Sequence, residues 1–428
     1  MSNLFVAESG YQINRPFDEE GAALHYAIRQ IGKQEKPDLT VLKALINLGA
    51  DVSQPTQSNE LPVALAISYY KPTILQTLLD AGASPTMPKI YSTQPIMMAI
   101  NRRSLAMVKI LIEANADLTV TNNYEENAIE YTFTRSFPDE EKTKIIQMLL
   151  MGNIDINKQN NDSDTALLTA VQYDLPDVVT LLINAGANVN IKDKHGYTAL
   201  TRAIQANNIT LIKALLTANA NPNIAIEGDW SPLHFTVAHG NEDNNDYPIA
   251  AQLLIDAGAD INAVNENNVT PLAIAARFNK LETLKVLLAN KADTEIPDKN
   301  QWTPLMWTTH LELVETTQKL LKAGANPNAQ SHEGWGPLHF SVDDPKSVSE
   351  KPLQIVRLLL KHGANVNQGQ QSGFTPLHFA AVNNLKTISA ELLNNGADYN
   401  QAADNGDTPL SLAKQYKRSE IIEQMTTR

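Results

Sequence analysis

Asp343 and Asp344, two adjacent carboxylates, are the feature of this 428-residue chain closest to acid–base machinery. Adjacent positions on a helix splay about 100° apart, too far for two carboxyls to share one proton. His195, His239, His310, His332 and His362 are dispersed and show no metal-ligand spacing such as H-x-x-x-H. Cysteine is absent, which excludes a thiol nucleophile, a thiolate metal site and a disulfide framework. The acidic run Asn241-Glu242-Asp243-Asn244-Asn245-Asp246 has the composition of a calcium loop but lacks the glycine and terminal glutamate of an EF-hand. The chain has no glycine-rich phosphate loop and no G-x-S-x-G elbow. The expectation is a protein without cofactor or metal that is not an enzyme.

Binding chemistry is easier to find. Three of the four tryptophans, Trp230, Trp302 and Trp335, directly precede a recurring tetrapeptide, T-P-L-H or a worn form of it. Clean forms are Thr375-Pro376-Leu377-His378 and Ser231-Pro232-Leu233-His234. The anchor residue of the tetrapeptide recurs at Ala22, Leu61, Gln94, Asn127, Thr165, Thr198, Ser231, Thr270, Thr303, Gly336, Thr375 and Thr408, at spacings of 33 or 38–39. About twenty residues after the clean anchors comes a segment that ends G-A-[DN]-x-N, such as Leu253 to Asn262. A fixed period of this length means a solenoid, in which each unit buries its apolar face only by stacking on its neighbours.

In the eighth unit, Thr270 caps a short helix and Pro271 takes the first helical position, where its missing N–H costs nothing. A second helix spans Leu281 to Ala289, with Leu284, Leu287 and Leu288 on one face. Gly258, Gly324, Gly363 and Gly396 supply the left-handed residue after the second helix, whereas Asn115, Asn219 and Lys291 stand at the matching place in other units. Lysine adopts that conformation poorly, so a little strain is expected at Lys291.

Period, tetrapeptide and G-A-D-x-N together resemble the ankyrin repeat family over residues 20–425. The resemblance implies an all-α repeat solenoid of helix-turn-helix units joined by short β-hairpin loops, in a curved stack that binds proteins through its concave face. It also implies that His25, His234, His339 and His378 hydrogen-bond between neighbouring turns. The expected organisation is a lead-in over 1–20, degenerate repeats one to four over 21–160, well-formed repeats five to eleven over 161–402, and a capping repeat over 403–428. The polar last helix, Glu420 to Arg428, suits a monomer.

Repeats one, four, seven and ten are long, with anchors Ala22, Asn127, Ser231 and Gly336 lying 105, 104 and 105 residues apart. The extra residues fall between the two helices: Gly32 to Pro37, Ser136 to Glu141, Gly240 to Pro248 and Pro345 to Pro352. They read either as protrusions roughly 30 Å apart, at ~8–10 Å per helix layer, or as length variants that surface loops absorb cheaply. The near copies at Trp230 to Val237 and Trp335 to Val342 point to duplication of a three-repeat module.

The residue before each anchor sits at the hairpin tip. Along the chain it is small or acidic through Asp164, then Tyr197, Trp230, Val269, Trp302, Trp335 and Phe374. Large aromatics dominate interface energetics, so this column reads as a docking strip. The same rings could instead cover the backbone of the neighbouring hairpin. Trp307, Phe235, Phe340 and Phe379, four residues past their anchors, are expected in the core. Residues seven and eight past the anchor, among them Arg277, Phe278, His310, Asp343 and Asp344, are expected to face the same groove as the tips.

Lys plus Arg number 34 against 47 Asp plus Glu, a net charge of −13. That balance argues against nucleic acid or an anionic membrane as ligand and favours a basic protein partner. Met1 to Glu20 lacks a basic segment followed by an apolar run, and no stretch reaches the roughly 18 apolar residues of a membrane span. A cytoplasmic protein is expected, and abundant Asn without Cys leans toward a bacterial one. Two roles follow: an immunity or inhibitor protein that neutralises a toxin or enzyme, or an effector delivered into a host cell without a cleavable signal. A scaffold holding two ligands is a third, because the N-terminal tips are acidic and the C-terminal tips aromatic.

Overall fold

In a computed structural model of the chain, residues 13–88, 93–238, 247–343 and 350–427 are described. They form twelve helix pairs, and the first helix of every pair begins one residue after a sequence anchor. Proline at the first helical position of eight of them, and a cap in extended backbone, explain why these short helices start where they do. Thr270 accepts the Ala273 N–H and Thr165 the Leu168 N–H, for example. The second helices start at residues such as Pro176, Leu281 and Val314. Leu284 and Leu287 are fully buried and Leu288 is half-buried.

The chain divides into two compact units, 1–194 and 195–428. In each, first helices pack on first helices of the next repeat, and second on second. The core is accordingly a row of small clusters, such as Leu272, Ile274, Leu284, Leu287 and Leu305. Truncating one such leucine to alanine costs about 2–5 kcal/mol.

The loops are hairpins reduced to their turns. Asp298 N–H bonds the Trp302 carbonyl, and the Asp298 carboxylate accepts the N–H groups of Asn300 and Trp302. Several successive tips are tied by a backbone bond, such as Lys299 N–H to Asn267 O at 3.2 Å and Gln371 N–H to Glu333 O at 3.1 Å. Among the described residues no strand forms, and the single β-bridge joins Asp18 to Gly21.

Asparagines stitch neighbouring repeats. Asn367 Nδ2 donates to Gly396 O (3.0 Å) and its Oδ1 accepts Asp398 N–H (2.8 Å). Asn223 joins Gly258 and Asp260 in the same way, and Asn328 joins Gly363 and Asn365. Asn14 occupies the equivalent place before repeat one, bonding Gly49 O and Asp51 N–H, so the lead-in docks as the loop half of a repeat. A Cβ at Gly258 or Gly396 would meet nothing within 4 Å. Backbone conformation rather than space therefore selects glycine there, and Lys291 adopts the same left-handed geometry at φ 64°.

The tetrapeptide histidines fulfil the role that the family resemblance implied. In His234, Nδ1 accepts the Ser231 N–H and Nε2 donates to Val269 O at 3.0 Å. His339 likewise joins the Gly336 N–H to the Phe374 carbonyl, and His378 joins Thr375 to Asp407. One nitrogen facing a donor and the other an acceptor requires the neutral ring. Burial pushes these imidazoles down, His339 to about 4. In repeat four the histidine's place is taken by Glu130, whose Oε2 accepts the Asn127 N–H at 3.0 Å. Glu130 is 1% exposed, and its Oε1 is buried with no hydrogen-bond partner among the described residues. Burial first, with Glu126 and Asp164 adding repulsion, pushes its carboxyl up to about 8.

Of the four insertions, those of repeats one and four lie within the described residues. Arg103 forks onto the Glu141 carboxylate (2.8 and 2.5 Å) and lies over Phe137, so the insertion of repeat four packs back on repeat three. In that of repeat one, Gln34 O accepts the Lys71 ammonium at 2.5 Å. These segments lie along the stack rather than standing off it. The acidic run Asn241 to Asp246 lies outside the described residues, as do His239 and Asp344.

Candidate functional site

The site is built in the second unit, from hairpin tips and the first helices that follow them. Each tip is held rigidly by its turn. Trp335 N–H bonds Ser331 Oγ while the Trp335 carbonyl accepts the Ser331 N–H, and His339 secures Phe374 from the preceding repeat. Fixed tips at a spacing of one repeat bring rings from successive repeats into contact.

Six rings form one continuous wall. Trp307 meets Trp302 at 4.5 Å between centroids, Trp302 meets Phe340 at 4.3 Å, and Phe340 meets Trp335 at 5.4 Å. Trp335 then meets Phe379 at 4.8 Å, and Phe379 meets Phe374 at 6.0 Å. All six are half-buried. The rings thus pack on neighbouring repeats and still present surface. Offset and tilted pairs at these distances contribute about 0.5–1.5 kcal/mol each beyond area burial. A smaller cluster joins Tyr197 and Trp230 to Phe235 at 6.1 and 6.0 Å.

Trp307, Phe340 and Phe379 correct the expectation that residues four past the anchor are core, since only Phe235, at 6% exposure, is buried. In these three the ring lies against the tip of its own repeat, for Phe340 and Phe379 also against that of the neighbouring one, and keeps part of its surface exposed. Their spacing carried the signal: Trp302 to Trp335 and Trp307 to Phe340 are both one 33-residue period.

Two clefts flank Trp307. One, of about 460 Å³, is lined by Trp302, Trp307, His310, Trp335 and Phe340, with Asn300, Ser331, His332, Glu333 and Asp343 around them. The His310 ring stands edge-on to Trp302 (5.4 Å) and Phe340 (5.8 Å). The other, of about 610 Å³, lies between Trp230 and Trp307 and includes Arg277, Phe278, Asp298 and Lys299. The Arg277 guanidinium sits 4.3 Å over the Trp307 centroid, a cation–π contact, and Phe278 beside it is 56% exposed.

Of the residues singled out from sequence, Trp302, Trp335, His310 and Asp343 meet in one cleft and Trp230, Arg277 and Phe278 in the other. Tyr197 and Phe374 line neither. Among the described residues no group of three His, Asp or Glu is placed to hold a metal, and no helix is long and apolar enough to cross a membrane.

Comparison with known families matches the model for ankyrin repeats (3 copies) to residues 24–122, 139–226, 233–331, 312–403 and 346–427. Proteins built from such repeats are typically non-catalytic modules for protein–protein interaction. With the period, the caps, the twelve helix pairs and this match in agreement, the chain belongs to the ankyrin repeat family.

Proposed function

We propose that the chain is a protein-binding module that grips a basic protein through the aromatic face of repeats six to eleven. The observation that carries this reading is the six-ring wall: half-exposed rings, held by the turns and the first helices, offer large contact area at little entropic cost. The charge of −13 supports a basic partner, because complementary charge speeds encounter and discourages acidic competitors. The role that fits best is a cytoplasmic bacterial immunity or inhibitor protein, acting as a monomer to block a toxin or enzyme.

An apolar cleft of about 550 Å³ in the first unit, lined by Val52, Pro55, Leu61, Val63, Met87 and Pro88, favours the scaffold as second reading, with one ligand per unit. Capture from lysate of the producing cell tests all of these, with Trp230→Ala/Trp302→Ala/Trp335→Ala as control and circular dichroism to confirm that the variant is folded. One basic protein retained by wild type and lost by the variant supports the neutralising role. Equal retention refutes the aromatic face as the site. An empty wild-type lane with capture from a host lysate would replace the immunity role by the effector one.

A further inference from the structure

We infer that the cleft between Trp302 and Trp335 is a receptor for an arginine side chain of the partner. The inference rests on the protein-binding reading above and assigns that site its first specific ligand group. Two tips, Trp302 and Trp335, and the rings of Trp307, His310 and Phe340 from two consecutive first helices enclose the cleft. Its walls therefore present aromatic faces and edges rather than alkyl groups. A flat guanidinium gains from such faces by stacking and cation–π attraction.

Among the described residues that line the cleft, the fixed charges are carboxylates. Glu333 and Asp343 line it, both exposed, while no lysine or arginine does so among the described residues. The other two ionisable groups are His310, which stands edge-on to the rings, and His332, whose Nε2 bonds the Lys299 carbonyl at 3.2 Å. Across Trp307 the neighbouring cleft has a different character, with Arg277 and Lys299 on its walls beside Asp298. Arg277 demonstrates the geometry from within the protein, since its guanidinium already covers Trp307 at 4.3 Å. A second cation is thus attracted to the Trp302–Trp335 side and repelled from the Arg277 side. Trp307 and Asn300 line both clefts, which places an arginine seat directly beside an apolar seat at Phe278 and Trp230.

Fluorine NMR of the full chain labelled with 5-fluorotryptophan tests this, because the four tryptophans give four assignable signals. N-acetyl-arginine methylamide is titrated against its citrulline counterpart, a neutral molecule of the same shape, at matched chloride. The arginine probe should shift Trp302 and Trp335 and leave Trp230 unmoved, with citrulline at least roughly tenfold weaker. Glu333→Gln, an exposed and isosteric change, should weaken the arginine response by roughly fivefold. Equal responses to the two probes, no response, or a response confined to Trp230 would overturn the assignment. If the protein partner is still lost on Trp302→Ala/Trp335→Ala while arginine shows no preference over citrulline, this inference fails and the docking face stands. Partner capture unaffected by those substitutions sinks the docking face itself.

Discussion

Replacing Glu130 by glutamine should remove a pH dependence built into repeat four. Glu130 caps the Asn127 N–H through Oε2, and its buried carboxyl titrates near about 8 in the fold against 4.5 when unfolded. Between those values the folded chain holds a proton that the unfolded chain has released. Raising pH therefore favours unfolding, and the stability is fully present below 4.5 and lost as pH climbs through about 8. One unit is worth 1.36 kcal/mol, so the loss is on the order of 3 kcal/mol by pH 7, a ceiling that local relaxation lowers. The side-chain amide of the Glu130→Gln variant keeps an acceptor for the Asn127 N–H and carries no charge. The two proteins should be similar near pH 5, and the variant should gain by about 3–4 kcal/mol by pH 8. Repeat arrays need not unfold in one step, so the readout is local: amide-exchange protection of the helix Ala128–Phe133 from pH 5 to 8 in both proteins. Parallel profiles would refute the buried-carboxyl argument, because any constant effect of the substitution cancels in the comparison.

Other consequences follow from the same geometry. His339 titrates near about 4 in the fold against 6.5 unfolded, so its contribution is complete above 6.5 and lost as pH falls to about 4, by up to about 3 kcal/mol; exchange protection in repeats ten and eleven should drop on acidification, and a flat profile would count against it. Lys291→Gly should raise the urea midpoint by relieving a left-handed lysine worth about 1 kcal/mol, less the entropy glycine adds to the unfolded chain; a lower midpoint would contradict this. Asn367→Ala removes two bonds to the next repeat and should cost about 1–2 kcal/mol, seen as faster exchange in the last two repeats, whereas unchanged exchange would refute the stitch.

The repeat architecture was legible because a local signal, an anchor followed by proline in eight of the twelve repeats, fixes most helix starts independently of their neighbours. Even worn copies such as Leu61-Pro62 and Gln94-Pro95 kept the proline, and their helices begin on it. Asn127 to Glu130 looked degenerate but is a capping box, in which glutamate substitutes for histidine as the acceptor of the cap N–H. Letter matching hides that equivalence; looking for a hydrogen-bond acceptor three residues past the anchor reveals it, as in Thr201 and Ser411. The tip column was found from sequence, but the wall was not. Trp307, Phe340 and Phe379 recur in the same register as the tips, but that their rings lie against the tips and stay half-exposed is a fact of packing that periodicity does not fix. The clefts, too, draw their walls from more than one repeat, so no single segment encodes them.

Amide-exchange footprinting of the protein with its captured partner tests the central claim most directly. Slowed exchange should be confined to the tips at 298–302, 331–335 and 370–374 and to the ends of the first helices around Arg277 and His310. Protection on the second helices, or in the unit 1–194 alone, would contradict it.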